Sequence, residues 1–248
     1  ALLGALEHTL RWYLEDAGRQ RLQARCEDAL REAMLSRQSV ALRVAYFRAF
    51  VTIARSPEAL DDCAALLDGR LVIPAVPLRS ADRFRVSRTL IAQEDARGEY
   101  WRLRLAAEGS DDARRMAFAA EAARPSQSAK TTMFGRLLDG TLPERWVEEA
   151  VTVFNTVEHD SATLPHLESA LRALPRLSST RRIFFANHWL AAFVGGQRSA
   201  QALSVIDAVL DDGRLPDSLQ RKLREARDGL ERTVRVRGRF RGARGASS

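Results

Sequence analysis

At 248 residues, with 46% hydrophobic and 7% aromatic content, the chain can bury one large core or two small ones. No apolar run reaches the eighteen or so residues that a membrane-spanning helix needs, and Glu7, His8, Arg11 and Glu15 interrupt the first apolar segment, so no signal peptide is expected. The net charge of +7 points to nucleic acid only until it is located: Arg235, Arg237, Arg239, Arg241 and Arg244 lie in an acid-free stretch from Val234 to Ser248, and without them the body is near neutral.

Ala, Leu and Arg dominate, which favours helix. Apolar periodicity predicts helices over about 1–16, 18–36, 38–55, 57–68, 80–95, 98–108, 111–124, 127–139, 143–157, 161–175, 179–194, 199–212 and 216–235, joined by short connections. In the third, Leu42, Tyr46, Phe50 and Ile53 line one face and Val40, Val44, Phe47 and Val51 another, so burial between neighbours is expected. Ser56-Pro57 starts the fourth. Leu71–Pro77 is β-branched, carries Pro74 and Pro77, and reads as an extended connector and a candidate break between subarrays near 70–79.

Ser110-Asp111-Asp112 opens another helix, with the acids suiting its dipole. Arg124-Pro125 ends that helix, Ser126 caps the next, and Asp139-Gly140-Thr141 closes it, with Gly140 free to take a positive φ. Pro143 fits the first turn of the following helix. Gly69, Gly109 and Gly213 are further stops. Ile183, Phe184, Phe185, Trp189, Leu190 and Phe193 make the helix near 179–194 apolar on several sides. Paired helices of this kind, some buried on two faces, imply an all-α, HEAT/armadillo-like solenoid over residues 1–233 followed by a basic, disordered tail at 234–248. No strict repeat period is visible, so the array is expected to be degenerate.

No enzymatic motif interrupts this pattern: GxSxG, P-loop and GxGxxG are all absent. His159, Asp160, His166 and Glu168 are the one cluster with ligand-type side chains, but a helix start at Asp160-Ser161 disrupts metal-ligand spacing. His188, in an apolar helix, reads as a packing histidine. Cys26 and Cys63, without a CxxC, read as buried free thiols of a cytosolic protein. Acid pairs such as Asp61-Asp62 and Glu148-Glu149 read as solvated faces.

Ala122-Ala123-Arg124-Pro125, Lys130, Phe134 and Leu137–Thr141 together resemble the C-terminal helical domain of the aminopeptidase N family of zinc peptidases, in which an aromatic, commonly Trp, occupies the place of Phe134. Residues 46–70, 154–177 and 215–237 are similar to other helices of that domain in bacterial members. The domain of the endoplasmic reticulum aminopeptidases is similar too. The order and spacing of the blocks carry the resemblance, which runs over nearly the whole chain.

The resemblance implies a non-catalytic domain that caps the active-site chamber and accommodates peptide during open–closed transitions. HExxH and GxMEN are absent, so zinc and catalysis are expected in a preceding domain, with no cofactor in this chain. A start at Ala1 without methionine suits an excised fragment. Expected partners are the catalytic and other domains of the same polypeptide and a peptide at the concave face, in the cytoplasm, with neither membrane nor nucleic acid. Arg83, Arg85, Arg114, Arg115, Arg181 and Arg182, near helix starts, are the candidates to meet a peptide's C-terminal carboxylate, which a guanidinium fork matches. The rival functions are a free-standing helical adaptor and a HEAT-like nucleic-acid binder.

Overall fold

A computed structural model describes residues 2–242, with side chains through residue 239. Among these residues there are fourteen α-helices and no strand, so the fold is all-α. The chain divides into two compact units, Ala1–Ala123 and Arg124–Ser248. The division falls beside Arg124-Pro125, and the non-helical residues 71–79 lie inside the first unit.

The first unit holds α1 (Leu2–His8), a π-helical turn (Thr9–Tyr13), α2 (Asp16–Ser36), α3 (Val40–Ile53), α4 (Pro57–Asp68), α5 (Ser80–Ala92), α6 (Ala96–Ala106) and α7 (Asp111–Glu121). α2 packs along α3 and α5 along α6, while α7 lies against both α5 and α6. The α5–α6 approach is close because Gly98 has no side chain. A Cβ there would stand 2.6 Å from the Ile91 backbone nitrogen and 2.8 Å from the Ser87 carbonyl oxygen. Ser87 uses the proximity and donates its hydroxyl to the Gly98 carbonyl at 2.8 Å.

Glu27 of α2 ties the α3–α4 junction. Its Oε1 accepts from the backbone N–H groups of Arg55 (2.7 Å) and Ser56 (3.2 Å) and from the Gln23 amide (2.7 Å). The side chain is buried, so its charge is met by donors that a helix start would otherwise leave unmatched. Ser56 then accepts from the Ala59 N–H, as the sequence predicts for a cap. Beyond Gly69, at φ 75°, the chain leaves helix but does not run extended as expected: it turns at Pro74-Ala75, where Ala75 takes φ 60° and the Val76 N–H donates to the Ile73 carbonyl at 3.1 Å; Ile73 is buried, Val72 is 67% exposed, and Arg43 donates to the Pro74 carbonyl at 2.5 Å.

The second unit holds α8 (Gln127–Leu137), α9 (Glu144–Phe154), a 3-10 turn (Val157–His159), α10 (Asp160–Arg172), α11 (Leu174–Thr180), α12 (Phe185–Gly195), α13 (Ala200–Asp211) and α14 (Asp217–Gly242). α12 packs against α9 and α14, and α13 against α10 and α14. Trp189 and Phe193 of α12 form the centre, their rings 4.7 Å apart, with Phe185 at 5.7 Å from Trp189 and Phe134 at 5.9 Å from Phe193. The Trp189 indole N–H donates to the Ala170 carbonyl at 3.0 Å, which satisfies its one polar atom.

Several local expectations are corrected. Val40 and Leu42 are exposed, so α3 is buried on two faces only in its second half, at Phe47, Phe50, Val51 and Ile53. Ile183 and Phe184 precede α12 and are 79% and 72% exposed, because α11 ends at Thr180 and the predicted single helix is interrupted. His188 is exposed rather than packed. Gly140 has no positive φ; Asp139 makes the turn instead, its Oδ1 accepting from the Thr141 N–H (2.9 Å) and hydroxyl (2.8 Å). α14 continues as helix through Gly242, so residues 234–242 are not the expected coil; the remainder of the predicted tail, 243–248, lies outside the described residues.

Candidate functional site

Of the six candidate arginines, Arg83 and Arg85 lie on α5 and Arg114 and Arg115 on α7, in the first unit, whereas Arg181 and Arg182 follow α11 in the second. Arg114 donates to the Gly109 carbonyl at 3.0 Å and lies 3.6 Å from Asp111; Arg115 pairs with Asp112 at 2.9 Å. These contacts stay within one helix start. Arg181 reaches the Leu142 carbonyl at 2.8 Å and the Asp139 carbonyl at 3.2 Å, and lies over the Phe185 ring at 5.6 Å. It therefore ties the α8–α9 connection to α12. Arg182 is exposed, and its backbone N–H donates to Glu144 at 2.8 Å. Arg83 is exposed as well.

Arg85 stands in a different setting. Its Nε is shut off from solvent and has no hydrogen-bond partner. Arg88, one turn on, experiences the like charges of Arg85 and Arg11, and burial with that repulsion pushes its guanidinium down to about 10. Arg11 comes from the π-helical turn and lies 4.9 Å from the centre of the Trp12 ring. Burial lowers Arg11 as well, with Glu7 opposing, and burial raises Glu7 against the pull of Arg11 and Arg85. His8 stacks on Trp12 at 4.9 Å and meets Tyr13 edge-on at 4.6 Å, its basicity lowered by burial and by Arg11. Arg85 is one of the six sequence candidates; Arg11 and Arg88 are not. The i, i+3 spacing of Arg85 and Arg88 was a readable signal, while the π turn that carries Arg11 was not.

The histidine and acid cluster is dismantled by its neighbours. Asp160 pairs with the largely buried Arg198 at 3.0 Å, and Glu168 with Arg172 at 2.8 Å. His166 turns inward against Phe134 (4.9 Å) and Phe154 (5.9 Å), with the Gln127 amide 3.4 Å from its Nε2. Burial and the nearby Lys130 both lower its basicity. Lys130 is fully buried. Its ammonium donates to the Phe154 carbonyl, the last of α9, at 2.7 Å and lies 4.9 Å from the Phe154 ring centre, and burial pushes it down to about 7. Among the described residues no group of three or more His, Cys, Asp or Glu side chains could hold a metal ion. No described helix is long and apolar enough to cross a membrane.

No family model matches the chain. Over 201 residues it is 29% identical to aminopeptidase N of Streptomyces lividans, an alignment that takes in 78% of this chain and 23% of that protein. The chain therefore spans about a quarter of the length of this relative, and it is similar to a part of an aminopeptidase N.

Proposed function

We propose that this chain is a non-catalytic helical portion of a larger zinc-dependent aminopeptidase, corresponding to the C-terminal domain of such enzymes. One observation carries the reading: the similarity to aminopeptidase N runs through 78% of an all-helical chain whose sequence has no HExxH. In this role the helices cap the catalytic chamber, admit peptides while excluding folded proteins, and bias an open–closed equilibrium through contacts that differ between the two states. Zinc and its ligands belong to the catalytic domain. Within the first unit Arg83 and Arg114, exposed at or near helix starts, are the proposed contacts for the far end of a peptide; Arg182 is an exposed candidate of the second unit.

The test is hydrolysis of aminoacyl-coumarin substrates with added zinc. It is run on this chain alone and on the protein extended by the coding sequence immediately upstream. Activity only in the longer protein is expected. Activity in this chain alone overturns the non-catalytic assignment. An inactive longer protein whose added sequence lacks HExxH overturns the aminopeptidase reading in favour of a helical adaptor.

A further inference from the structure

The outward arginines of α14 serve neither the packing of that helix nor the aminopeptidase reading. Leu219, Leu223, Leu230, Thr233 and Arg237 are buried at helical spacing and form the packed stripe of α14. The positions two residues beyond them lie about 200° round the helix, on the side away from that stripe. They are Arg221, Glu225, Arg232, Arg235 and Arg239, all exposed. Acids stand only in the first part of this side, at Glu225 and Asp228; from Arg232 to Ser248 the sequence has none. Asp207 and Glu231 are both engaged by Arg227, at 2.5 and 3.2 Å, and among the described residues no ion pair holds Arg232, Arg235 or Arg239. The helix dipole favours a cation only in the last turn, whereas Arg232 and Arg235 precede the end at Gly242 by about two turns or more. Gly238 is exposed beside Arg235 and Arg239, and a Cβ there would meet nothing within 4 Å. Glycine weakens a helix interior, and here no packing requires it; it leaves room for another backbone to come close.

We infer that Arg232, Arg235 and Arg239 form a sequence-independent contact for a nucleic-acid duplex, made through its phosphodiester backbone. The row rises roughly 10 Å along the helix axis. A duplex carries a negative charge about every 1.7 Å of its own axis, so the three forks can each reach a phosphate. Guanidinium pairs with phosphate oxygens bidentately, which an exposed row of arginine serves better than lysine. No described side chain of α14 is an exposed large hydrophobic. A helix that lies on a lipid surface needs an apolar face, a protein interface needs an apolar core, and single-strand sites use aromatic stacking. The backbone of a duplex asks for none of these. A near-neutral body gave no reason to expect nucleic acid; the gathering of unpaired charge on one side of α14 does. This contact stands apart from the aminopeptidase reading, since it is made by this chain's own residues and measured without peptidase activity.

The full chain is titrated into short fluorescent DNA and RNA duplexes of one sequence at several salt concentrations. Vesicles of phosphatidylserine with phosphatidylcholine, polyglutamate and single-stranded DNA are the competing polyanions. Saturable anisotropy is expected, with a Kd of about 10⁻⁴–10⁻⁶ M near physiological salt and equal values for the two duplexes. The affinity should fall with salt at a log–log slope of about −3 or steeper, since Arg241 and Arg244 follow in the sequence. Arg232→Gln, Arg235→Gln and Arg239→Gln together should weaken binding about tenfold or more and take about three units off the slope. Arg221→Gln, on the same side but beyond Glu225 and Asp228, should change neither. The three side chains are exposed, so the triple variant is expected to keep the wild-type Tm. If it melts early, Arg235→Gln alone should still remove about one unit of slope. Affinity and slope equal to wild type in these variants overturn the site. Vesicles, polyglutamate or single strands bound more tightly than the duplexes overturn the ligand, and a tenfold preference for either duplex overturns a contact made by phosphates alone.

Discussion

Lys130 donates its ammonium to the end of α9, where the carbonyls of a helix carry partial negative charge. That contact and the Phe154 ring favour the charged form, but burial outweighs them and brings the group down to about 7 from the ordinary 10.5. Between those two values the unfolded chain binds the proton and the folded chain does not. Stability therefore rises with pH across this window, and the full penalty, on the order of 5 kcal/mol, is felt below about pH 7. Lys130→Met removes the titrating group. It is expected to flatten the dependence of the urea midpoint on pH between about 7 and 10. A slope unchanged from wild type would mean that Lys130 is not its source. His166 adds to the same trend at lower pH, since its lowered basicity makes its stability contribution fall away as pH drops through its range. Burial likewise raises the Cys63 thiol far above its normal range and so keeps it protonated, whereas Cys26 is only half-buried.

At the scale of the element, most starts were legible. Ser56, Ser110 and Ser126 each accept from the N–H three residues on, which is the local geometry that makes serine a cap. Gly69, Gly109 and Gly213 take positive φ where the pattern placed helix ends. Residue 98 is merely the first position of the helix expected at 98–108. Its actual role, to let α6 approach α5, depends on a partner that no local pattern names. Gly98→Ala should therefore destabilise by about 1–3 kcal/mol, or more because the nearest obstacle is backbone, measured as a lower urea midpoint with an unchanged slope. A neutral substitution would show that α5 and α6 can separate freely. Glu94, at φ 58°, and the Asp95 cap that accepts from the Arg97 N–H at 2.9 Å end α5 at Ala92 and begin α6 at Ala96, shifting the expected boundary between helices 80–95 and 98–108.

For the molecule as a whole, the charge distribution changes meaning once α14 is seen. Arg235, Arg237 and Arg239 belong to a helix, and Arg237 is 8% exposed, so part of the apparent tail is packed. Long cationic side chains bury their stems along apolar surface while keeping the head near water. Deleting the chain from Val234 onward is expected to cost about 1 kcal/mol and lower Tm by about 2–4 °C, with ionic strength held fixed because charge is removed too. An unchanged Tm would return these residues to the status of a free tail. The division after Ala123 was partly visible at Arg124-Pro125, where the chain cannot continue as helix, although the proline-bearing segment near 70–79 had seemed the better break.

The amino-acid sequence by itself determined the all-α class, nearly every helix, the serine caps and the glycine stops, because each depends on residues within a few positions of one another. It also carried the likeness to aminopeptidase N through the order of its helical blocks. Tertiary structure alone decided which apolar residues are covered, turning Ile183 and Phe184 outward and Lys130 inward. It alone set which charges meet: Asp160 with Arg198, Arg31 with Asp62, and Glu27 with the start of α4. Burial and charge pairing depend on distance in space, and residues as far apart in the chain as Asp160 and Arg198 become neighbours only when the helices between them pack.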